Sequence, residues 1–398
     1  MGKCFITKLD GSTNNSSILR IGEMRIKFNK ENNPTKSTQG FSVGSKNELT
    51  LNVVGNGYFT DETLTQNLGN TITITNTTKT VYVSNGAEVA VLNKYILESL
   101  SYNNSNFDKN FIIDLSSLKY SNKLRFLNIG VTLATGSLEN LKGLYNLNII
   151  NLGNTLVDGD IKSLQGITAL TAIHLYRTQV SGNIGDLKTL TSLSTLNLAS
   201  TQVSGNVGEL KTLTALTSLN LSVTSVSGNI GDLKTLTSLS TLNLASTQVS
   251  GNVGELKTLT SLSTLFISNN NIPLVGDIGE LSSLTNIKSI TLNSSRLSGD
   301  LATVPASCKH VSFERDAGST MTWGTRPSSA SIIAINGNAS LANIDKMLQD
   351  QAKCQVGFTS SDPITYKTIS VAGNRTSASD DAVATLQQKG YTISIAKA

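Results

Sequence analysis

A 23-residue rhythm of apolar and polar positions runs through the middle of this 398-residue chain. Glycine recurs at that interval, at positions 136, 159, 182, 205, 228 and 251, and then at 276 and 299 after a two-residue insertion. Apolar columns keep the same period, as in Leu196, Leu219 and Leu242. A fixed period of this length predicts a solenoid, because each repeat can bury its apolar side only against its neighbours.

The pattern inside one repeat predicts its local structure. Leu196 and Leu198 alternate with polar residues, which is typical of a short strand with its leucines inward and the intervening residues outward. Successive strands are expected to form a parallel sheet with a spacing of roughly 4.8 Å. The rest of the repeat is too short for a full helix, so we expect turns and short 3₁₀ segments there. Gly205 and its equivalents suit a position of positive φ.

The whole repeat reads L-x-x-L-x-L-x-x-T-x-V-S-G-x-I-x-x-L-x-x-L-x-x, and eight consecutive repeats carry it. This pattern resembles that of the leucine-rich-repeat family. The resemblance covers residues 96–316 and implies a right-handed solenoid with a parallel sheet on its concave side.

The chain departs from that family at the turn after the strand, where most members place asparagine. Threonine takes this place at Thr132, Thr155, Thr178, Thr201, Thr224 and Thr247, followed by Asn270 and Ser295. A turn leaves backbone groups that need partners, and a threonine hydroxyl can bond to them, with fewer bonds than asparagine. We therefore expect the fold to survive the change, with a weaker ladder.

One stretch is duplicated: residues 181–214 and 227–260 are identical. Two repeats were copied together, so these repeats are interchangeable as structural elements. The copy argues against a site that needs one unique constellation in the middle of the array. It favours an irregular ligand at the ends or a repetitive ligand along the length.

We expect four parts in the chain. Residues 1–40 form an N-terminal leader and linker, 41–95 a small antiparallel β module, 96–316 the solenoid, and 317–398 α/β capping repeats. The β module is predicted from alternating apolar positions and from the hairpin-turn pair Asn85 and Gly86. Residues 96–118 are expected to be an irregular entry repeat that covers the edge of the first strand.

The C-terminal part combines strands with helices. Strands are predicted around Val311, Ile333 and Ile369, and a last strand at Ile393. A helix is predicted with Leu341, Ile344, Met347 and Leu348 on one face and Ser340 as its N-cap. Ser377 and Asp380 resemble a capping box that opens a second helix, with Val383 and Leu386 inward and Gly390 after its end.

Composition narrows the classes of partner. Charged residues make up 15% of the chain, below the roughly 25% of ordinary globular proteins, which favours an extracellular or virion surface over a cytosolic enzyme. The net charge is +5, and the columns Asp186/Glu209/Asp232/Glu255 and Lys188/Lys211/Lys234/Lys257 are interpreted as a solvated ladder. We therefore expect no nucleic-acid partner. No secretory signal and no membrane insertion are expected either. No disulfide framework is expected, since Cys4, Cys308 and Cys354 are few and far apart.

Candidate catalytic chemistry is sparse. Cys308, Lys309 and His310 could be arranged as a nucleophile and base, but Cys308 occupies an apolar column, which favours a core cysteine. His174 and His310 are the two histidines, and their spacing to other residues matches no metal site. We predict a non-enzyme without cofactor or metal.

The candidate ligand-binding surface is the concave sheet face. Most repeats place small polar residues there, whereas one repeat places His174, Tyr176 and Arg177, and further aromatic side chains stand at Phe126 and Phe266. Tyrosine and arginine are enriched at binding hot spots. These five residues are the predicted ligand site, although an exposed trio without a ligand is the alternative.

The N-terminus carries a second resemblance. The run C-F-I-T-K-L-x-G, followed by L-x-x-I-G-E-M-R-I, resembles the leader of virion structural proteins of crAss-like and other gut Bacteroides phages. It implies attachment to a particle through Cys4, Phe5, Ile6, Leu9, Ile21, Met24 and Ile26. The implied protein is a head- or tail-associated fibre or decoration protein that binds other virion proteins, forms a homo-oligomer and presents the solenoid to a host-surface glycan or protein. The alternative is a bacterial leucine-rich-repeat interaction module, in the cytoplasm or at the cell surface.

Overall fold

The computed structural model describes the strands within residues 24–92 by their backbone, and residues 97–102, 111–268, 270, 272–293, 296–313, 320–359 and 367–397. The chain divides into two compact units, Met1–Gly182 and Asn183–Ala398.

The first unit opens with antiparallel strands. They are Met24–Phe28, Thr38–Ser45, Leu49–Val54, Phe59–Thr60, Asn67–Gly69, Thr71–Ile74, Thr77–Ser84 and Glu88–Leu92. Antiparallel pairing of Leu49–Val54 with Glu88–Leu92 and with Thr71–Ile74 confirms the predicted β module. Met24–Phe28 lies between Glu88–Leu92 and Phe111–Ile112 in the same sheet. The last residues of the predicted leader therefore belong to this sheet.

Parallel strands follow in the same unit, at Ser99–Ser101, Phe126–Asn128, Ile149–Asn151 and Ala172–His174. Phe126 is paired with Ile149, and Ile149 with Ala172, so each strand stands one repeat from the next. A second parallel pair joins Asp158–Asp160 to Gln179–Asn183.

The edge of the first parallel strand is covered differently from the prediction. Ser99–Ser101 is itself the first strand, because Leu100 points inward as in the later repeats. Thr38–Ser45 runs antiparallel along it, with Val43 opposite Leu100. The β module, rather than residues 96–118, thus supplies the partner for the backbone groups of this edge.

The second unit carries nine parallel strands in register. They are Thr195–Asn197, Ser218–Asn220, Thr241–Asn243, Thr264–Phe266, Ser289–Thr291, His310–Phe313, Ala334–Leu341, Thr368–Ala372 and Thr392–Ile393. Shorter parallel strands on the other side of the repeats are Gln202–Asn206, Ser225–Asn229, Gln248–Ser250, Val275–Asp277, Arg296–Asp300 and Thr320–Thr322. Asn374–Arg375 pairs with Ala396–Lys397 near the end of the chain.

Short 3₁₀ helices connect the strands, as the repeat length predicts. They lie at Leu115–Leu118, Leu138–Leu141 and Ile161–Leu164 in the first unit. In the second they lie at Ile184–Leu187, Val207–Thr212, Ile230–Thr235, Val253–Thr258, Ile278–Ser283, Leu301–Thr303 and Ser377–Ser379.

Each short helix from Leu138–Leu141 to Leu301–Thr303 begins with a polar cap that follows a glycine. Asn206 Oδ1 accepts a hydrogen bond from the Gly208 amide at 2.8 Å, which satisfies a free donor of the first turn. Gly205, just before it, has φ 112°, and a Cβ there would lie 2.9 Å from Cγ of Asn183 in the preceding repeat. The repeating glycine is therefore required by both its backbone angle and the close approach of the neighbouring cap.

The leucine columns form the core. Leu196, Leu198, Leu219 and Leu221 are all fully buried, while the residues between them are partly exposed. This alternation confirms the predicted inward and outward positions.

The threonine ladder is confirmed. Thr201 is buried, and its Oγ1 donates to the carbonyl of Leu198 at 2.6 Å. The equivalent hydroxyls of Thr132, Thr155, Thr178, Thr224 and Thr247 bond to the carbonyl three residues earlier at 2.6–2.8 Å. Ser295 lies outside the described residues. One hydroxyl per repeat thus satisfies the strand carbonyl that the turn would otherwise leave free.

The C-terminal helices are Ile344–Lys353 and Asp380–Gln388. Ile344, Met347 and Leu348 are buried, as predicted. The predicted N-cap Ser340 is wrong, because Ser340 and Leu341 belong to the strand Ala334–Leu341. The chain leaves that strand through Asn343, whose φ of 64° makes the turn without a side-chain cap.

The start of the second helix also differs from the prediction. Thr376 caps the short 3₁₀ helix Ser377–Ser379 that precedes it, since its Oγ1 accepts from the Ala378 amide at 3.2 Å, and the helix Asp380–Gln388 itself begins after Ser379 without a side-chain cap. Asp380 accepts from the Arg375 guanidinium at 2.6 Å instead of closing a capping box with Ser377. Gly390, with φ 87°, follows the end of the helix as predicted.

The inward and outward faces of a strand should differ in how much a truncated side chain costs in stability. Leu219→Ala should lower the free energy of unfolding by about 2–5 kcal/mol, because it leaves a cavity in a fully buried column. Ser222→Ala, on the partly exposed side, should cost under about 0.5 kcal/mol. Urea unfolding of both variants measures the difference, and equal midpoints would contradict the assignment of faces.

The ladder hydroxyl can be removed without changing side-chain shape. Thr201→Val should destabilise the protein by about 1–3 kcal/mol, because the carbonyl of Leu198 would lose its buried donor. Thr201→Ser keeps the hydroxyl and serves as the matched control. Chemical denaturation should rank wild type and the serine variant well above the valine variant, and a stable valine variant would show that the bond is dispensable.

Candidate functional site

The outward residues of the parallel strands form the surface on which the ligand site is predicted, and we call this surface the outer face. In the first unit its first column holds Ser99, Phe126, Ile149 and Ala172, and its second column holds Ser101, Asn128, Asn151 and His174. Tyr176 and Arg177 follow directly after the last of these strands.

The structure brings three of the predicted ligand residues together. His174 ends the strand Ala172–His174, and Tyr176 is the next outward residue. Arg177 is exposed and has φ 53°, a left-handed conformation that turns the chain at the edge of the sheet. Three polar residues thus lie within four consecutive positions at the end of one strand.

Tyr176 is held by a glycine that the sequence interpretation did not single out. Its ring lies over Gly153 of the preceding repeat, where a Cβ would stand 2.6 Å from ring atom Cζ. The amide of Asn154 also donates to the Tyr176 carbonyl at 2.6 Å. Glycine at 130 and 153, where later repeats have Ala199 or Ser222, was the available signal.

His174 is half-buried, and this burial lowers the pKa of its imidazole below the usual value. The ring is therefore neutral at physiological pH, with one nitrogen as donor and the other as acceptor.

Phe126 lies on the same outer face, in the first column and two strands from Ala172. Ordinary strand spacing puts these two positions roughly 10 Å apart. Phe126 is 40% exposed, and the guanidinium carbon of Arg125 lies 5.7 Å from its ring centre. Phe266 belongs to the second unit, in the column that His174 occupies in its own repeat, and is 37% exposed.

The outer face of the second unit is largely committed to internal bonds. Asn197, Asn220 and Asn243 each accept a hydrogen bond from the backbone amide two residues later, at 3.1–3.2 Å. Their side chains therefore brace the strand ends.

Cys308 is a core residue, as the apolar column indicates. It is fully buried, and burial raises the pKa of its thiol to about 12. The Sγ atom lies 3.4 Å from the carbonyl of His310. A thiol that stays protonated at neutral pH is a poor nucleophile.

Sequence reasoning missed a buried polar chain around His310. Its Nδ1 lies 3.1 Å from Ser289 Oγ, and its Nε2 lies 3.3 Å from Asn336 Nδ2. With the Asn336 amide donating to Nε2, the ring proton sits on Nδ1 and points to Ser289, so the imidazole cannot take the proton of that hydroxyl. Ser289 and His310 are only 7% and 6% exposed, which also keeps a substrate away. This arrangement supports packing rather than hydrolysis.

A depression of about 410 Å³ lies at the start of the helix Ile344–Lys353. Its carboxylate, Asp345, accepts bonds from Ser379 and Thr376, and these bonds lower its pKa. Because Asp345 is already bonded within the protein, it fastens the helix to the segment that follows.

Outside the outer face, the charged side chains of the described residues form no metal site, and one exposed ion pair lies in the predicted charge columns. Among the described residues, no group of three or more His, Cys, Asp or Glu side chains could hold a metal ion. In the predicted charge columns, Lys188 and Glu209 lie 3.8 Å apart with both side chains about half exposed, a pairing worth little. Across the described part of the chain, no helix is long and apolar enough to cross a membrane.

Most of the predicted attachment residues, Cys4, Phe5, Ile6, Leu9 and Ile21, lie outside the described residues. Met24 and Ile26 lie in the strand Met24–Phe28 of the antiparallel sheet.

No protein-family model matches the chain, and no curated protein matches it. Solved structures do. A TDR receptor aligns with a TM-score of 0.50 and 21% identity over 60% of this chain and 43% of the receptor chain. The leucine-rich-repeat ectodomain of a membrane receptor kinase from Arabidopsis thaliana, in complex with CASPARIAN STRIP INTEGRITY FACTOR 2, aligns with a TM-score of 0.46 and 20% identity over 61% of this chain and 33% of that one. Internalin C2 from Listeria monocytogenes gives 0.35 and 29% over 46% and 74%.

The fold is a leucine-rich-repeat solenoid. The similarity to the TDR receptor, together with the parallel strands that recur every 23 residues, establishes this fold. The chain spans less than half the length of both receptor chains. The virion resemblance of the N-terminal leader finds no counterpart among these structures.

Acidification should destabilise the solenoid through His310. Burial lowers the pKa of this imidazole from the usual 6.5 to about 4. The folded state thus binds a proton less readily than the unfolded state, so the contribution of His310 to stability is constant well above pH 6.5 and falls as the pH drops from there towards 4. The loss amounts to roughly 3 kcal/mol over that window.

The measurement is urea unfolding at several pH values from 7.5 to 4.5. His310→Gln cannot titrate, so it should lose most of this slope even if its stability at neutral pH is lower. A slope unchanged by the substitution would assign the pH dependence to other groups.

Proposed function

We propose that this protein is a non-enzymatic interaction module that binds a partner through the outer face of its leucine-rich repeats. One observation carries the proposal. His174, Tyr176 and Arg177 stand together at the end of one strand, and within the described part of the chain their side chains have no hydrogen-bond or ion-pair partner.

The backbone that carries these three residues is already ordered before a partner binds. The strand that ends at His174 is fixed by its pairing with Ile149–Asn151 and by the buried Ile173, and the backbone after it is held by the bond from the Asn154 amide to the Tyr176 carbonyl. A partner that binds here orders little additional backbone, so more of the interaction energy appears as affinity. Tyrosine and arginine are the residue types that most often dominate such interfaces.

We further propose that the module is displayed on a phage particle, as a head- or tail-associated fibre or decoration protein. The support is the leader pattern of residues 1–28 and the low content of charged residues. In this proposal the leader binds other virion proteins, several copies assemble, and the outer face meets a glycan or protein of the host surface. A bacterial interaction module without a virion, in the cytoplasm or at the cell surface, is the second candidate, supported equally by the fold.

Attachment can be tested by truncation. Deleting residues 1–23 should leave the solenoid folded, because the deletion stops before the sheet strand Met24–Phe28 and the core is local to the repeats. The truncated protein should be lost from purified particles, as measured by mass spectrometry against wild-type particles. Replacing His174, Tyr176 and Arg177 with alanine is the matched control, because it should reduce host-surface binding and leave incorporation unchanged.

Two results would count against display on a particle. One is absence of the wild-type protein from purified particles, and the other is normal copy number of the truncated form. Either result would favour the bacterial interaction module and would leave the outer-face binding proposal to be judged by its own binding measurement.

A further inference from the structure

The internal duplication extends beyond its identical stretch and contains a pattern of differences. Residues 169–214 and 215–260 match at 40 of 46 positions. The six differences are Ala172/Ser218, Ile173/Leu219, His174/Asn220, Tyr176/Ser222, Arg177/Val223 and Gln179/Ser225. All of them fall within eight consecutive residues.

Five of the six differences lie on the surface. Ile173 and Leu219 are both buried, and they exchange one core aliphatic residue for another. The other five pairs are partly or fully exposed in both copies, on the strand, on the turn after it and at the first residue of the next strand. Apart from the exchange of Ile173 for Leu219, the change is therefore confined to the side chains that this short segment presents to solvent.

Exposure alone does not account for this confinement. The 40 residues that are identical in both copies include exposed positions such as Asn183, Lys188, Thr191 and Ser192. Drift at unconstrained surface positions would have scattered substitutions over these sites as well. The pattern instead marks the outward residues of this strand as the part that changed while the framework stayed fixed.

The two copies differ in what they offer a partner. In the second copy Ser222 Oγ donates to Asn220 Oδ1 at 2.8 Å, and Asn220 also accepts from the Ser222 amide at 3.1 Å, so these polar groups are internally satisfied. Val223 adds an uncharged side chain that is 56% exposed. In the first copy an imidazole, a phenol and a guanidinium replace them, and none has a partner among the described residues.

The two copies also differ at the residue of the preceding repeat on which the outward side chain packs. Tyr176 packs on Gly153, which leaves room for the ring. The position equivalent to Gly153, 46 residues later, is Ala199. The first copy is thus built to hold a large aromatic side chain at this point, and the second is not.

We propose that the outward residues at 172–179 form a recognition strand for an acidic polypeptide segment, and that the copy at 218–225 does not bind it. This inference rests on the proposed outer-face function. Arg177 would pair with a carboxylate of the segment, since guanidinium and carboxylate form paired, charge-assisted hydrogen bonds. Tyr176 and His174 would donate to its carbonyl or carboxylate oxygens.

Charge and apolar surface together select a polypeptide as the occupant. Within the described residues no carboxylate lies at ion-pair distance from Arg177, so its charge is uncompensated. The partly exposed Phe126 and Ile149 extend the same face with apolar area. Mixed acidic and apolar side chains of a polypeptide match this surface better than a uniformly polar sugar polymer does.

The test exchanges residues between the copies. The first variant carries His174→Asn, Tyr176→Ser and Arg177→Val, the residues that the same framework already tolerates in the second copy. The probe is an immobilised library of peptides that alternate Asp or Glu with apolar residues, with matched peptides carrying Asn or Gln as controls. Wild type should retain acidic peptides, and the variant should bind them at least about tenfold more weakly, with unchanged thermal unfolding.

A reciprocal variant tests sufficiency. Ala199→Gly, Asn220→His, Ser222→Tyr and Val223→Arg should give the second copy the same surface and the same room for the ring. Titration with the selected peptide should then show two binding sites per chain instead of one. The same variant without Ala199→Gly should bind the second peptide less well.

The outcomes separate this inference from the broader one. Equal binding of acidic and amide peptides, equal binding by wild type and the first variant, or retention of acidic polysaccharides but no peptide would each overturn it. If the outer face binds a partner but the exchange of residues does not change that binding, only the recognition-strand inference is overturned. A chain whose outer face binds no partner would remove the proposed function as well.

Discussion

The structure depends on one constraint: no repeat can bury its leucines by itself. Leu196 and Leu219 are fully buried only because strands of adjacent repeats lie beside them in register. That requirement keeps the inward residues of the strands in register, and differences in repeat length are absorbed outside the strands: Leu265 lies opposite Ile290 although the repeat between them carries the two-residue insertion. It also explains the recurrence of glycine and threonine, which allow the chain to leave each strand at the same angle and with its carbonyls bonded.

The same constraint leaves the outer face free to vary. Inward residues are determined by packing, and cap residues such as Asn206 are determined by the backbone that they bond. A residue such as His174 is subject to neither demand. Function in this fold is therefore concentrated in side chains that the framework does not need. The duplicated repeats illustrate this, because their caps are the same and their cores differ only by Ile173 in place of Leu219, while five outward residues differ.

The buried chain of Ser289, His310 and Asn336 shows the limit of reasoning from residue types. A serine near a histidine suggests nucleophilic chemistry, whereas the direction of the hydrogen bonds and the burial oppose it. In the same unit the guanidinium of Arg326 is buried and donates to the carbonyls of Val304 and Ser331. Both polar groups serve the packing of irregular repeats in which leucine columns are interrupted.

The sequence by itself determined the repeat, its inward and outward positions, the short 3₁₀ segments and the hydroxyl ladder, because these features arise from contacts at a fixed and short separation along the chain. It also singled out His174, Tyr176 and Arg177 by their departure from the repeat. Contacts between distant segments could not be read in this way. Only the tertiary structure placed Thr38–Ser45 on the edge of the first parallel strand and Ser340 in a strand instead of a helix cap. Each of these depends on which backbone lies beside which, and no local pattern of residues encodes that.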